Sequence, residues 1–446
     1  MWWLLLACSG SDSDPPDSGT DTDPPEAATL AEEASASVVG AEFLNIGWSV
    51  GAAGDVDGDG AGDLLLGSST GNQGCLWLAP VQGALSFEDA DCIVGATGDF
   101  LGQNTVGMGD LNGDGLAEYG YSAIGFDGGG LDRGAVTLIS GDQVSQWVGE
   151  LDLDGAGVSF ATVGDVDGDG EPDWVVGAPG SDVGGDSAGA AYLIRGPLVA
   201  GSHLLADADA RIEGVGQRHG AVVGVATGGS VSGGDFDGDG LSDLLISAGG
   251  SDALGVDAGM VGVFLGPLSG NYSFADADAR YFGDVTGGYL GEPLGKGDID
   301  GDGREDVILS KNGSSPEELW IFTDFVPTER FRSGARTIIQ SAHPGDRATW
   351  SFTTLEANDG PEGLVIGAPW AFEQAGAVYV LNGPIAEGTW NLQDSPYLTG
   401  APGDLAGQAV AAPGDASGDG IPDVWIGAPY AEGGLGAAYL VSLDRW

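Results

Sequence analysis

Positively charged residues are scarce in this 446-residue chain. It contains 13 Lys and Arg against 68 Asp and Glu, which gives a formal net charge of −55. Nucleic acids and anionic membrane surfaces are bound through basic patches, so we expect neither as a partner. We expect part of the surplus negative charge to serve solubility.

Histidine is rare, and so is any sign of a catalytic nucleophile. His203, His219 and His343 are far apart and form no metal-binding spacing, so we assign them structural or surface roles. The segment Gly47-Trp-Ser-Val-Gly51 matches a hydrolase nucleophile pattern, but that pattern requires a strand followed by a helix. The same position in Gly407-Gln-Ala-Val410 has no serine. We therefore predict that the protein is not an enzyme.

Only three cysteines are present, and the first closes the apolar start of the chain. Residues 1–8, Met-Trp-Trp-Leu-Leu-Leu-Ala-Cys, resemble a lipoprotein-type signal with a bacterial lipobox, which implies that Cys8 is lipidated. The stretch is shorter than a usual signal and has no basic start, so a truncated ordinary secretion signal is the alternative. Residues 9–33 are predicted to be a disordered acidic Ser/Asp/Pro linker. No other segment is apolar enough to span a bilayer.

The other two cysteines, Cys75 and Cys92, lie in the predicted third and fourth strands of the first repeat. Adjacent antiparallel strands can bring two cysteines within bridging range, and an extracytoplasmic location permits oxidation. The sequence therefore predicts a Cys75–Cys92 disulfide, with two small buried residues as the alternative.

Acidic loops are what the chain has in abundance. Six copies of one nine-residue pattern occur, at residues 55–63, 110–118, 165–173, 235–243, 298–306 and 415–423. Oxygen-bearing side chains at positions 1, 3, 5 and 9 suit calcium, which takes six to eight oxygen ligands. Glycines at positions 4 and 6 permit the sharp backbone path. The sequence predicts about six Ca²⁺ sites.

The predicted metal ligands occupy positions 1, 3, 5, 7 and 9 of each loop. They are Asp55, Asp57, Asp59, Ala61, Asp63, Asp110, Asn112, Asp114, Leu116, Glu118, Asp165, Asp167, Asp169, Glu171, Asp173, Asp235, Asp237, Asp239, Leu241, Asp243, Asp298, Asp300, Asp302, Arg304, Asp306, Asp415, Ser417, Asp419, Ile421 and Asp423.

The loops mark a repeat of seven units. Their spacing is 55 to 70 residues except for the last gap of 117 residues (415 − 298), which is about two periods. The segment Leu364-Val-Ile-Gly-Ala-Pro369 repeats the residues that follow other loops, but residues 355–363 before it lack the carboxylates at positions 1, 3 and 9. We count seven units and six intact metal loops. Periods near 50 residues are typical of propellers or arrays.

Strands, rather than helices, flank the loops. Position 12, where an EF-hand needs Glu, holds apolar or aromatic residues such as Leu66 and Val176 inside strand-like runs. Each unit carries four strand signals, as a propeller blade does. A fourth-type strand, Ser37-Val-Val-Gly40, precedes the first loop, while the last unit stops after its third strand. We predict an all-β, seven-bladed β-propeller over residues 34–446, with four-stranded blades and the N-terminal strand completing blade 7.

The chain resembles a known family at these residues. Inner segments such as Asn45-Ile-Gly-Trp-Ser-Val50, the Asp-rich loops and the Gly-Ala-Pro segments look like FG-GAP repeats, which form the propeller of integrin alpha subunits. The resemblance implies that ligands bind on the face opposite the calcium loops. Aromatic residues expected on that face are Phe126, Tyr289, Trp350, Trp370, Phe372 and Tyr430.

The functional hypothesis is a calcium-binding, non-enzymatic, monomeric propeller at a bacterial cell envelope or surface, acting in adhesion or ligand recognition. Its partner would be an extracellular protein or glycan, and its only membrane contact would be the lipid anchor. A carbohydrate-binding or polysaccharide-processing envelope protein and a structural envelope spacer are the alternatives. Fold alone does not separate them.

Overall fold

Seven β-sheets account for nearly all regular structure in the chain. The computed structural model describes residues 28–40, 45–68, 70, 72–86, 89–215, 227–355 and 361–446. Each sheet is one blade of a ring, and the inner strand of every blade contacts the inner strands of both neighbours. The predicted seven-bladed propeller is therefore confirmed.

Four antiparallel strands form the body of each blade, from the inner to the outer strand. In blades 1 to 7 they are Ile46–Gly54, Asp63–Ser68, Gln73–Trp77 and Asp91–Val94; Leu101–Gly109, Glu118–Ala123, Ala135–Ser140 and Gln143–Val148; Ser159–Gly164, Asp173–Ala178, Ala190–Ile194 and Ala210–Glu213; Thr227–Gly234, Asp243–Ala248, Met260–Phe264 and Ala279–Phe282; Leu294–Gly297, Asp306–Lys311, Glu318–Phe322 and Thr337–Gln340; Ser351–Leu355, Gly363–Ala368, Ala377–Leu381 and Tyr397–Thr399; Ala409–Gly414, Asp423–Ala428, Ala437–Ser442 and Ala36–Val39.

Helical segments are short. The α-helical turns are Leu30–Glu33, Ala371–Gln374 and Ala431–Gly434, and the 3₁₀ turns are Leu205–Asp207, Phe274–Asp276, Arg332–Gly334, Leu392–Asp394 and Leu443–Arg445. No helix in the described ranges has the length and apolar character needed to cross a membrane.

The apolar core is divided among the blade interfaces. The described residues contain seven apolar clusters, and each is formed by two adjacent blades. The second strand of each blade is buried along its whole length because blades cover it on both sides. Near the axis, glycine lets neighbouring inner strands approach closely: a Cβ on Gly107 would lie 1.9 Å from the carbonyl oxygen of Ala52. Stability is therefore built from nearest-neighbour packing.

The two ends of the chain close the ring, as the sequence predicts. Ala36–Val39 pairs antiparallel with Ala437–Ser442, with Ser37 opposite Tyr439. The N-terminal strand thus supplies the outer strand of blade 7 and covers an edge that would otherwise be open.

Five blades carry a fifth strand, which the prediction of four-stranded blades did not include. These strands run parallel to the outer strands of blades 7, 2, 3, 4 and 5, and they are Gly83–Leu85, Gly201–Leu204, Gly270–Ser273, Glu329–Arg330 and Gly388–Asn391. Each comes from the connection between the third and outer strands of the next blade. These connections are long enough to reach across the blade interface.

The N-terminal segment extends this pattern to blade 6. Thr29 forms an isolated parallel bridge with Thr399 on the outer strand of that blade, and Leu30 is 1% exposed within the core between blades 6 and 7. Leu30 begins a helical turn, as Leu205 and Leu392 do in other blades. Packed structure therefore begins by Ala28, before the predicted linker boundary at residue 33, because this turn has an apolar residue to bury.

Candidate metal centres and the opposite face

The six acidic loops join the inner and second strands of blades 1 to 5 and 7. In each loop the aspartate at position 1 accepts hydrogen bonds from the backbone N–H groups at positions 4, 5 and 6. In blade 1, Asp55 accepts from Gly58, Asp59 and Gly60 at 2.7, 3.1 and 2.9 Å. This carboxylate shapes the turn around itself, a role the sequence pattern did not reveal.

The carboxylate at position 9 anchors the loop to the sheet. Asp63 is fully buried and accepts from the N–H groups of Val56 and Ala79 at 2.9 and 2.7 Å. Burial raises the pKa of Asp173 to about 6 and the pKa of Asp243 to about 7, an effect that backbone hydrogen bonds only partly offset. Carboxylates at other loop positions add repulsion. A bound cation would favour the ionised form of both groups.

Four of the loops gather three carboxylates around one point. The groups are Asp55, Asp57 and Asp63; Asp165, Asp167 and Asp173; Asp235, Asp237 and Asp239; and Asp298, Asp300 and Asp302, and in each group the ligand atoms lie within 4.8 Å of one another. Two oxygens bound to one calcium ion at about 2.3–2.6 Å from it are at most about 5 Å apart. These four loops have aspartate at position 3 and fit a calcium ion.

The remaining two loops have a neutral residue at position 3. In blade 2 the Asn112 amide donates to Glu118 Oε1 at 2.8 Å. In blade 7 the buried side-chain atoms Ser417 Oγ and Asp423 Oδ1 have no hydrogen-bond partner among the described residues. A buried acceptor without a partner is costly, and a cation would satisfy both oxygens.

The blade 3 loop has a positive charge beside it. The Arg195 guanidinium lies 3.0 Å from Asp167 Oδ2 in the blade 3 loop. This ion pair offsets part of the repulsion among the carboxylates there. It also competes with a metal ion for one of the predicted ligands.

Neighbouring loops are hydrogen-bonded to each other in the blade pairs 1–2, 3–4 and 5–6. The carbonyl oxygen of Asp55 accepts from the N–H of Ala117 in the next loop at 2.8 Å, and Asp165 accepts from Ser242 in the same way at 2.8 Å. Ordering one loop therefore also fixes a backbone contact to the following blade.

The position-7 residues, predicted as ligands, also pack between loops. A Cβ built on Gly58 would lie 3.1 Å from the Leu116 side chain, and one on Gly168 would lie 3.1 Å from Leu241. Arg304 takes the corresponding place against Gly238. Glycine at position 4 therefore leaves room for this contact and also adopts the positive φ without strain. In blade 6, residues 356–360 lie outside the described residues, so the lack of a metal there stays a prediction.

Ser49, in the segment that matches the nucleophile pattern, and His203 have structural surroundings. Ser49 lies within an inner strand and its Oγ donates to the carbonyl oxygen of Gly102 at 3.0 Å. Ser351 makes the same bond to Gly407 at 2.9 Å, so this serine ties adjacent blades together. His203 stacks on Trp147 with ring centroids 4.7 Å apart. His219 lies outside the described residues.

The ends of the strands opposite the metal loops carry an aromatic cluster in blade 6. The Arg347 guanidinium lies 5.0 Å from the Trp350 ring centroid and 4.3 Å from the Trp370 centroid. Phe372 stacks on Tyr397 at 5.1 Å, with His343 at 6.3 Å from Phe372. Of the six predicted aromatic candidates, the structure brings Trp350 and Trp370 to a shared partner.

Two features of this cluster were not apparent from the sequence. Arg347 has a φ of 51° and lies close to both indoles. The scarcity of arginine is the only signal for it in the sequence. Phe372, Glu373 and Gln374 all have positive φ, between 51° and 65°. Consecutive left-handed residues are costly for side chains other than glycine, and this turn presents Trp370 with 39% of its surface exposed.

The cysteines divide into one described pair and one that is not described. Cys75 and Cys92 lie opposite each other on neighbouring strands, with Cα atoms 4.1 Å apart, and a disulfide joins them. Cys8 and its lipobox lie outside the described residues, so lipidation stays a prediction.

Comparisons with known proteins agree with the repeat structure. The FG-GAP repeat model matches residues 156–194 and 227–264, in blades 3 and 4. Integrin alpha-PS2 of Drosophila melanogaster is 30% identical over 213 residues, which are 44% of this chain and 14% of that protein. Human integrin alpha-7 is 35% identical over 108 residues, 22% of this chain and 9% of that protein.

Human integrin alpha-6 is 40% identical over 86 residues, 18% of this chain and 7% of that protein. The matches thus span a small part of these relatives. A crystal structure of selenomethionine-substituted virginiamycin B lyase from Staphylococcus aureus aligns with a TM-score of 0.45 and 8% identity, over 91% of this chain and 98% of that one. Likeness at that level carries no argument about activity. The chain is a seven-bladed β-propeller that contains FG-GAP repeats and is similar in sequence to part of the integrin alpha subunits.

Proposed function

We propose that this propeller is a calcium-stabilised, non-enzymatic recognition module, which holds an adhesion-type ligand on the face opposite its metal loops. The observation that carries the proposal is the division of chemistry between the two faces. The acidic loops are on one face, and the exposed Trp370 with its Arg347 and Trp350 neighbours is on the other.

The loops support a structural role for the metal. Four loops gather three carboxylates within 4.8 Å, and the loops of blades 1, 3 and 5 are each hydrogen-bonded to the following loop. A bound calcium ion supplies positive charge that offsets repulsion among these carboxylates. Asp63 and the other position-9 carboxylates hold the loop in place, and the position-1 carboxylates set its turn. Together these residues would keep the ring rigid while the other face binds a ligand.

The aromatic cluster supports recognition on the opposite face. Trp370 offers an exposed indole face, and aromatic faces stack well on sugar rings and on apolar side chains. Arg347 adds a positive charge in a protein whose surface is otherwise strongly acidic. The ligand we expect is an extracellular protein or glycan with both an apolar face and an anionic group.

Two surface cavities have linings without acid–base side chains. One, of about 320 Å³, is lined by Gly, Ala and Pro residues, including Ala52 and Pro413. The other, of about 270 Å³, is lined by Thr70, Asn72, Thr97 and Phe100 together with Val94 and two glycines. Neither lining contains an acid, a base or a histidine, and general acid–base catalysis requires such groups.

Display at a cell surface completes the proposal. We propose that Cys8 is lipidated and that the residues before Ala28 tether the propeller to a bacterial envelope. The disulfide between Cys75 and Cys92 suits an extracytoplasmic compartment.

A binding array tests the recognition face. The full chain, with calcium and with chelator, is applied to immobilised extracellular proteins and glycans, and hits are repeated with Trp370→Ala. Trp390→Ala is the matched control, because Trp390 is 38% exposed on the outer rim and Trp370 is 39% exposed. We expect Trp370→Ala to lower the affinity for the ligand by about tenfold or more, as at an interface hot spot. Trp390→Ala should leave that affinity unchanged. Equal loss with both variants would contradict the proposed face.

A further inference from the structure

The outer edge of blade 1 differs from the outer edges of the other blades. Five blades hold a parallel fifth strand at this edge, and blade 6 holds the bridge from Thr29. No described residue pairs with the outer side of Asp91–Val94 in blade 1.

A deletion in blade 2 explains the difference. The fifth strands come from connections such as residues 195–209, which link the third and outer strands of blade 3. In blade 2 the third strand ends at Ser140 and the outer strand begins at Gln143, so only Gly141 and Asp142 lie between them. The connection in blade 2 is therefore too short to form a fifth strand on the outer edge of blade 1.

The uncovered edge is equipped to accept a strand. Cys92 lies 4.1 Å from Cys75, the short Cα distance of a non-hydrogen-bonded antiparallel pair. The N–H groups of Cys92 and, two residues on, Val94 therefore point away from the blade. In blade 4, the residue corresponding to Cys92 is Arg280, and its N–H donates to the fifth-strand segment at Thr328.

Side-chain burial gives a second, independent sign that a strand is missing. The third residue of the outer strand is fully buried in blades 7, 3 and 5, where it is Val38, Ile212 and Ile339. In blade 1 the same position is Ile93, which is only half-buried, and Val94 beside it is 69% exposed.

We propose that the outer edge of blade 1 binds an extended polypeptide segment of a partner protein by parallel strand addition. This site lies on the rim and goes beyond the proposed recognition face. The chain's own fifth strands show what fits: four of the five begin with glycine, continue with a small residue and place a larger side chain third, as in Gly270-Asn-Tyr272. Backbone hydrogen bonds supply affinity in such additions, and the third side chain supplies specificity.

The negative charge at the edge and on the whole chain favours a partner protein over a second copy of this chain as the occupant. Asp91 lies on the edge strand and Asp89 is close to it in sequence, and the chain carries a net charge of −55. Two copies meeting at this edge would oppose like charges. The expected segment is therefore neutral or basic.

A peptide that copies one of the chain's own fifth strands tests the site. Residues 268–275, Leu-Ser-Gly-Asn-Tyr-Ser-Phe-Ala, contain no charged side chain. The labelled peptide is titrated with the full chain by fluorescence anisotropy, beside a control peptide with Tyr272→Pro, which lacks an N–H that faces the edge. We expect saturable binding of the first peptide and at least tenfold weaker binding of the second.

Two variants at one position locate the binding. Val94→Pro removes the outward N–H and keeps a side chain of three carbons, whereas Val94→Ala shortens the side chain and keeps that N–H. We expect Val94→Pro to raise the Kd of the peptide at least tenfold and Val94→Ala to change that Kd less than threefold. Trp370→Ala should bind the peptide with the same Kd as the parent chain. A thermal melt checks that each variant is folded.

Hydrogen exchange on the parent chain gives a readout that needs no variant. Adding the peptide should slow exchange at residues 91–94. The proposal is overturned if no saturable binding is seen at 1 mM peptide, if Val94→Pro binds like the parent, or if the peptide speeds exchange at residues 270–273, which would show that it has replaced the chain's own strand on blade 3. A dimer that dissociates on adding peptide would show that a second copy is the natural occupant, and it would overturn the partner assignment.

Discussion

Ser37 lies directly opposite Tyr439 in one antiparallel ladder, although 402 residues (439 − 37) separate them in the chain. The first and last strands of the propeller therefore form one sheet, and each end of the chain depends on the other. Leu30 adds a second contact of the N-terminal segment with the last two blades, because its side chain is buried between blades 6 and 7.

Truncation at the N-terminus should lower stability in two steps. Removing residues 1–27 should leave the melting temperature unchanged, since the sequence predicts a signal segment and a polar linker there. Removing residues 1–33 should lower it, because loss of a buried Leu30-sized side chain costs about 2–5 kcal/mol. Removing residues 1–40 should lower it further and promote aggregation at the exposed edge of blade 7. Equal melting temperatures for the last two truncations would show that the N-terminal strand is dispensable.

Calcium removal should destabilise the whole ring. Extracellular calcium modules bind with Kd of about 10⁻⁴ to 10⁻³ M, and at ten times Kd each site contributes roughly 1.4 kcal/mol. Six independent sites would contribute about 8 kcal/mol, comparable with the whole stability of a domain. We expect a large fall in melting temperature on adding chelator. Metal analysis at saturation checks the number of sites. Fewer than about four bound calcium ions per chain would falsify the prediction of six sites.

Each metal loop should contribute a part of the calcium-dependent rise in melting temperature. Asp57→Ala removes one carboxylate of the blade 1 group and leaves Asp55 and Asp63 to hold the loop. We expect it to reduce the calcium-dependent rise in melting temperature by about one sixth, if six sites contribute equally. Asp359→Ala, in the degenerate loop of blade 6, is the matched control and should leave that rise intact. Comparing the rise, rather than the melting temperature itself, separates metal binding from loop packing.

Asp154 should make stability depend on pH. Burial raises its pKa to about 6, while the hydrogen bond from the N–H of Leu151, at 2.7 Å, opposes the shift. Because its folded pKa is above its ordinary value, Asp154 favours folding most at low pH, and this contribution is lost as pH rises through about 6. Asp154→Asn should therefore gain stability relative to the parent between pH 4 and pH 7. A difference in melting temperature that stays constant over this range would contradict the assignment.

The disulfide can be checked by peptide mapping. Non-reducing digestion of secreted protein should yield a fragment that joins Cys75 to Cys92. Reduction should loosen the outer strand of blade 1 first, because no fifth strand covers it among the described residues. Hydrogen exchange at residues 91–94, compared before and after reduction, measures this, with residues 210–213 as the internal control. Free thiols at both cysteines in secreted protein would refute the bridge.

Lipid anchoring depends on Cys8. Cys8→Ser should move the protein from the membrane fraction to the soluble fraction and abolish the mass increase at its N-terminus. Cys75→Ser serves as the control, since it should leave the membrane fraction unchanged. Identical fractionation of Cys8→Ser and the parent would remove the lipoprotein prediction.

Local patterns in the sequence determined the type of fold. The loop spacing gave the number of blades, and Leu66 and Val176 at position 12 excluded flanking helices. The fourth-type strand at Ser37 predicted ring closure. These features were readable because each blade packs mainly on its neighbours, so one short pattern is repeated with the same physical meaning in every unit.

Only the tertiary structure decided how the blades share their parts. The fifth strands were missed because segments such as Gly270–Ser273 are short and polar, and they become strands by pairing with another blade. The burial of Leu30 and the uncovered edge at Val94 likewise depend on how neighbouring units meet. The Arg347 contact with Trp350 and Trp370 depends on two separate segments of blade 6 folding together. Sequence periodicity reports what each segment does within its own repeat. Contacts between repeats arise only when the ring closes and fixes which surfaces face each other.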